Sequence, residues 1–110
     1  MGKTSQRKGR AGELEFAEIL KGYGFPVEAG QAVSYGEVPD LSGLPSVHIE
    51  CKRAEKLRLS EWMKQATRDA ERFKDGAPVV FHRRNREGWF VTLRLEDFMD
   101  LYQNRTGARA

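Results

Sequence analysis

A chain of 110 residues, 39% hydrophobic and 32% charged, is long enough to form one domain around one core without metal or disulfide staples. No apolar run is long enough for a membrane span or a secretory signal, and the single cysteine, Cys51, excludes an internal disulfide and fits a reducing cytoplasm, or a host-cell cytoplasm for a viral protein. Net charge is only +3, from 19 Lys and Arg against 16 Asp and Glu, yet basic residues cluster near the amino end, over 82–86 and at the carboxyl end, so a polyanion is a candidate partner if these share a face.

Residues 1–8 are polar and basic without apolar periodicity, which predicts a flexible arm carrying Lys3, Arg7 and Lys8. The domain proper is expected over 9–103, with a flexible tail over 104–110. A first helix is predicted over 9–23, with Phe16, Ala17, Leu20 and Tyr23 as its buried stripe. Glu13 precedes Phe16 and Ala17 by three and four residues, so it shares the inward face, where a carboxylate needs a cation or donors. A first-turn acid favoured by the helix dipole is the plainer alternative. Glu15 and Glu18 fall toward the outer side.

Residues 25–34 read as a strand of modest quality, and 34–36 as a loop before Pro39 and Asp40. The runs 38–41 and 46–53 are predicted to form an antiparallel hairpin centred near Pro45. On the second strand Val47, Ile49 and Cys51 make an apolar face, while His48, Glu50 and Lys52 point the other way. The hairpin would set Asp40 opposite Glu50 on one face. Two facing carboxylates repel unless a cation lies between them, so the bare reading is a hard-metal site with a lysine beside it. Cys51, on the apolar face, reads as a small buried hydrophobe rather than a nucleophile. With only His48 and His82 in the chain, no zinc finger or His-Cys site can be assembled, and His48 reads as a neighbour of the site.

A second helix is predicted over 59–74, with Ser60 as N-cap and Trp62, Ala66, Ala70 and Phe73 as its stripe. Gln65 borders the inward side, either as part of the site or as a polar edge residue. The runs 78–82 and 89–93 form a predicted hairpin, whose tip carries Arg83, Arg84 and Arg86 either to grip phosphates or as a solvated turn. Leu95, Phe98, Met99 and Tyr102 mark a short last helix. The order helix, three strands, helix, two strands, helix predicts an α/β domain with a mixed sheet flanked by helices.

An early helix bearing Glu13, then Pro39-Asp40, then Glu50-Cys51-Lys52 on a strand, then a helix, resembles the PD-(D/E)xK nuclease superfamily. With Arg7-Lys8-Gly9 ahead of Glu13, the chain is most similar to the archaeal-type Holliday-junction resolvases within it. The resemblance runs from about Arg7 to Tyr102. It implies a restriction-endonuclease-like fold of order αβββαββα and hydrolysis of DNA phosphodiesters with Mg²⁺, for which Mn²⁺ can substitute, and with no small-molecule cofactor. Glu13, Asp40, Glu50 and the Cys51 carbonyl would hold the metal; Lys52, with Gln65 nearby, would steady charge on the reacting phosphate or orient the water. The DNA contacts would come from Lys3, Arg7, Lys8, Arg10, Arg83, Arg84 and Arg86. Four-way junctions need paired symmetric nicks, so the resemblance also implies a C2 homodimer, with 95–102 and Trp89-Phe90 as its interface. The competing readings are a flap, repair or nicking nuclease with the same site, and a non-catalytic DNA-binding module with this fold.

Overall fold

The computed structural model describes residues 2–30 and 38–107, with side chains from Gly9 onward. Among them α1 (Gly2–Gly22) leads to β1 (Glu28–Ala29), β2 (Leu41–Ser42) and β3 (Val47–Arg53). Then follow α2 (Leu59–Phe73), β4 (Ala77–Arg83), β5 (Phe90–Leu93) and α3 (Leu95–Thr106). This is the predicted element order. Residues 34–36 and the end of the strand expected over 25–34 lie outside the described residues.

α1 and α3 are longer than apolar periodicity suggested. α1 begins at Gly2, so backbone expected as an arm continues the helix. No proline interrupts residues 2–8, and i→i−4 bonding propagates from an existing helix without an apolar stripe. α3 likewise continues through Thr106, where a tail was expected from 104, and stops at Gly107 with φ of 72°. Phe16 and Ala17 of α1 are buried as predicted, but Tyr23 is 76% exposed, because the chain turns at Gly24 before it reaches the sheet. α2 is preceded by Arg58 and has no side-chain cap, so Ser60 is not its N-cap. It ends at Lys74 in the left-handed region, whose N–H returns to the Ala70 carbonyl.

The predicted hairpin between 38–41 and 46–53 does not form. β2 pairs antiparallel with β1, with Ala29 opposite Leu41. β3 instead pairs in parallel with β4, from Val47–Ala77 through Arg53–Arg83, with α2 as the crossover. β5 adds antiparallel to β4, which makes the sheet β3-β4-β5 mixed. Burial decides between the pairings: Val27 and Leu41 are both fully buried, and pairing β1 with β2 places them in one core.

Two cores sandwich the sheet. Phe16, Ala17, Val27, Leu41 and Ile49 form one, with Phe81 and Trp89 against it; Trp62, Ala66 and Val80 form the other. The first lies under α1 and the second under α2, so β3 presents alternate residues to different helices. α3 buries no residue.

Candidate active site

β3 alternates as predicted. Val47, Ile49 and Cys51 pack toward α1, while His48 and Glu50 are buried on the other face with Lys52 half-buried beside them. α2 runs antiparallel to β3 along that face. Two strand residues advance about 6.6 Å and four helical residues about 6 Å, so positions spaced two on β3 and four on α2 stay in step. The resulting ladder has three rungs. Lys52 Nζ donates to Gln65 Oε1 at 3.0 Å. Glu50 faces Asp69. The His48 ring stacks on Phe73 with centroids 6.3 Å apart. Gln65 therefore lies against Lys52, and Asp69, one turn further on, lies against Glu50.

Glu13 arrives from the opposite helix. The residue before it, Gly12, is buried where α1 crosses β3, and a Cβ there would lie 2.9 Å from Cβ of Arg53. Lacking a side chain at that position, α1 comes close enough for Glu13 to feel the charges of Asp40, Glu50 and Lys52. Asp40 precedes β2, where its carbonyl accepts from the Gly30 N–H at 2.7 Å. It lines one pocket with His48, Glu50, Asp69 and Arg72. Asp40 and Glu50 thus meet without the predicted hairpin.

The electrostatics record this crowding. Burial, with Asp40 next and Glu50 also contributing, pushes the Glu13 carboxyl from 4.5 up to about 7, against the pull of Arg10 and Lys52. Burial and the charges of Glu50 and Asp69 raise Asp40 as well. Lys52 Nζ, 3.4 Å from Glu50 Oε2, offsets only part of the negative charge. Carboxylates forced together in this way are what a hard divalent cation stabilises, so the residues fit such an ion. Burial, then the neighbouring Glu13 and Glu50, drives the Cys51 thiol up to about 12, which suits a buried hydrophobe and not a nucleophile.

One pH dependence follows for the metal-free protein. The folded-state pKa of Glu13, about 7, lies above the ordinary 4.5, so between these values the folded state holds more protons than the unfolded state. The Glu13 contribution to stability is therefore fully present below the lower value and is lost as pH rises through the window, on the order of 1–3 kcal/mol. Thermal melts in EDTA across that range should show the fall, and Glu13→Gln should flatten it. Equal pH profiles for the two proteins would mean that Glu13 does not titrate in this way.

His48 is held more tightly than its reading as a neighbour implied. Its Nδ1 lies 2.9 and 3.0 Å from the two carboxylate oxygens of Asp75. Burial alone would lower its pKa, but the Glu50 and Asp75 carboxylates outweigh that and raise it. Asp69 and Asp75 were not singled out from the sequence; the i, i+4 relation of Asp69 to Gln65 was the available signal for the first. Glu15, expected on the outer side, accepts two hydrogen bonds from Arg83 at 2.8 and 3.0 Å and one from the Trp89 indole at 3.0 Å. Arg53 Nη1 lies 3.5 Å from it.

The basic residues divide accordingly. Arg83 is turned inward onto Glu15, and Arg10 donates to the Gly30 carbonyl at 2.7 Å and sits 3.8 Å from Glu13. Arg84 and Arg86 are exposed at the β4–β5 turn, Arg84 at 3.9 Å from Glu87. The side chains of Lys3, Arg7 and Lys8 lie outside the described residues.

Comparison with known proteins speaks to the whole arrangement. No curated protein matches the chain. Among solved structures, that of Archaeoglobus fulgidus Hjc, a Holliday junction resolvase from an archaeal hyperthermophile, is similar with a TM-score of 0.56. The likeness covers 78% of this chain and 72% of that one at 22% identity, and establishes a restriction-endonuclease-like fold. Among the described residues no helix is long and apolar enough to cross a membrane. The family described as "Phage putative PDDEXK endonuclease" matches over residues 4–108, almost the full 110. The chain belongs to that family, and so to the PD-(D/E)xK nucleases.

Proposed function

We propose that the protein is a Mg²⁺-dependent, structure-specific DNA endonuclease that resolves four-way junctions by paired nicks as a C2 homodimer. The observation that carries the chemistry is the convergence of Glu13, Asp40 and Glu50 around Lys52, with burial and the neighbouring carboxylates pushing the Glu13 carboxyl up to about 7. Glu13, Asp40, Glu50 and the Cys51 carbonyl would hold the ion. When bound, a divalent cation polarises the scissile phosphate and lowers the pKa of a water. Lys52 steadies charge developing on the phosphate, and Gln65 fixes where its ammonium sits by accepting one of its protons at 3.0 Å. The junction as substrate is supported by the fold shared with Hjc, itself a Holliday junction resolvase.

The dimer is supported by a set of uncovered apolar side chains. Phe90 and Val91 of β5 are 58% and 55% exposed, and Leu95, Phe98, Leu101 and Tyr102 of α3 are exposed beside them in sequence. Such a concentration on a helix that buries nothing suits an interface between copies. Trp89 is not part of it, since its ring packs 5.3 Å from Phe16 in the core. Leu95→Asp with Phe98→Asp should convert a dimer to a monomer in sedimentation and change paired junction nicks into single ones. A wild-type protein that sediments as a monomer at micromolar concentration would remove the dimer from this reading.

The test of function is cleavage of a labelled four-way junction beside linear duplex and flap DNA, with Mg²⁺ or EDTA. Paired symmetric nicks on the junction alone, lost with EDTA and in Asp40→Asn, are the expected result. Cutting of flap or linear DNA instead would keep the chemistry and replace the substrate. Junction binding without cleavage would point to a DNA-binding module.

A further inference from the structure

Beside the three carboxylates stands a buried imidazole with one ring nitrogen unaccounted for. His48 is 2% exposed, and its Nε2, buried and 3.7 Å from Glu50 Oε1, has no hydrogen-bond partner among the described residues. Its other nitrogen faces both oxygens of Asp75, and a carboxylate only accepts, so Nδ1 carries the proton of that bond. The same bond and the stack on Phe73 fix the ring plane. Nε2 thereby faces Glu50, and one ligand atom from each of His48, Glu50 and Asp69 lies within 4.8 Å of the others. Metal-binding histidines are held in this way, with a carboxylate on the far nitrogen orienting the ring and raising its basicity.

We propose that His48 Nε2, Glu50 and Asp69 form a nitrogen-bearing cation site that selects borderline transition ions such as Zn²⁺ and Co²⁺ over Mg²⁺, with Asp75 as the positioning residue. Ligand atoms around a tetrahedral ion with bonds of about 2.1 Å lie about 3.4 Å apart, close to the 3.7 Å between His48 and Glu50. Asp69, half-buried on α2, closes the site with a small side-chain movement. Imidazole suits Zn²⁺ and Co²⁺, whereas Mg²⁺ demands oxygen. The site shares Glu50 with the proposed Mg²⁺ position but does not depend on which DNA is cut. A shared ligand puts the two ions in competition, so transition ions would alter the Mg²⁺ reaction and not merely substitute in it.

The chain has only two histidines, and His82 Nε2 is engaged with Thr92 Oγ1 at 2.9 Å, so imidazole ¹⁵N spectra separate the two rings. Titrating the metal-free full chain with Zn²⁺ should shift His48 Nε2 strongly, and Mg²⁺ should not. By calorimetry, His48→Gln should weaken Zn²⁺ binding by at least about tenfold and leave Mg²⁺ binding within about threefold; Asp75→Asn should weaken Zn²⁺ by roughly 10–100-fold. Asp69→Asn, which leaves the buried ring in place, should also weaken Zn²⁺ and serves if His48→Gln fails to fold. If neither Nε2 moves with Zn²⁺, or if Asp69→Asn binds Zn²⁺ as the wild type does, the proposal is overturned and His48 is a structural cation between Glu50 and Asp75. Loss of Mg²⁺-dependent cleavage with the Nε2 shift intact would instead overturn the nuclease reading and leave this one standing.

Discussion

Lys52→Gln should lower single-turnover DNA cleavage by roughly 10²–10³-fold, while Lys52→Arg stays within about tenfold of wild type. The ammonium of Lys52 is held by Gln65 at 3.0 Å and by Glu50 at 3.4 Å, and it is a cation facing the crowded carboxylates of Glu13 and Asp40. Its charge can act on a phosphate without moving a proton. Glutamine keeps much of the length and hydrogen-bonding capacity but removes the charge. Arginine keeps the charge and is too weak an acid to shuttle a proton. Rates measured with saturating Mg²⁺ therefore separate the two roles. If arginine falls as far as glutamine, proton transfer by Lys52 replaces the electrostatic role. Gln65→Ala should produce a smaller loss, because it frees the ammonium without removing it.

Gly76→Ala should be the most damaging small substitution in the fold, costing more than about 3 kcal/mol and lowering the melting temperature by more than about 10 °C. Gly76 has a φ of 137°, where side chains are strained, and a Cβ there would overlap the Ser46 carbonyl and the Val47 nitrogen. Both obstacles are backbone, so no rotamer change relieves them. The position is also where the sheet begins: Ala77 N–H donates to the Ser46 carbonyl at 3.0 Å, and Val47 pairs with Ala77 in the first register of β3 with β4. Asp75, immediately before, holds His48, so displacement there reaches the site as well. Gly88→Ala is the control, since a Cβ at Gly88 meets nothing within 4 Å among the described residues, and its change should stay within about 0.5 kcal/mol. Equal melting temperatures for the two variants would show that the β3–β4 start can move apart at little cost.

The sequence reading succeeded where the physics is local. Strand alternation has a period of two, so placing His48, Glu50 and Lys52 together needed nothing beyond the strand itself. The helical stripe of Trp62, Ala66 and Ala70 placed Gln65 at its edge for the same reason, and the order of elements followed from these periodicities and their breaks. Pro39-Asp40 and Glu50-Cys51-Lys52 were legible as a motif, and the family match over 4–108 bears that recognition out.

What failed or went unseen was set by distant residues. The hairpin expected between 38–41 and 46–53 was the shortest closure, yet β3 pairs with β4 across the whole of α2, because that arrangement buries Val27 with Leu41 and covers both faces of β3. Asp40 still reaches Glu50, by tertiary packing and not by strand register. Glu15 looked like a surface acid until the fold brought Arg83 and Trp89, far along the chain, onto it. Asp69 and Asp75 acquire meaning only when α2 lies antiparallel on β3 and the turn after it returns to His48. By itself the sequence determined which side chains could share a face; only the tertiary structure decided which faces meet, because burial is shared among residues that no local period connects.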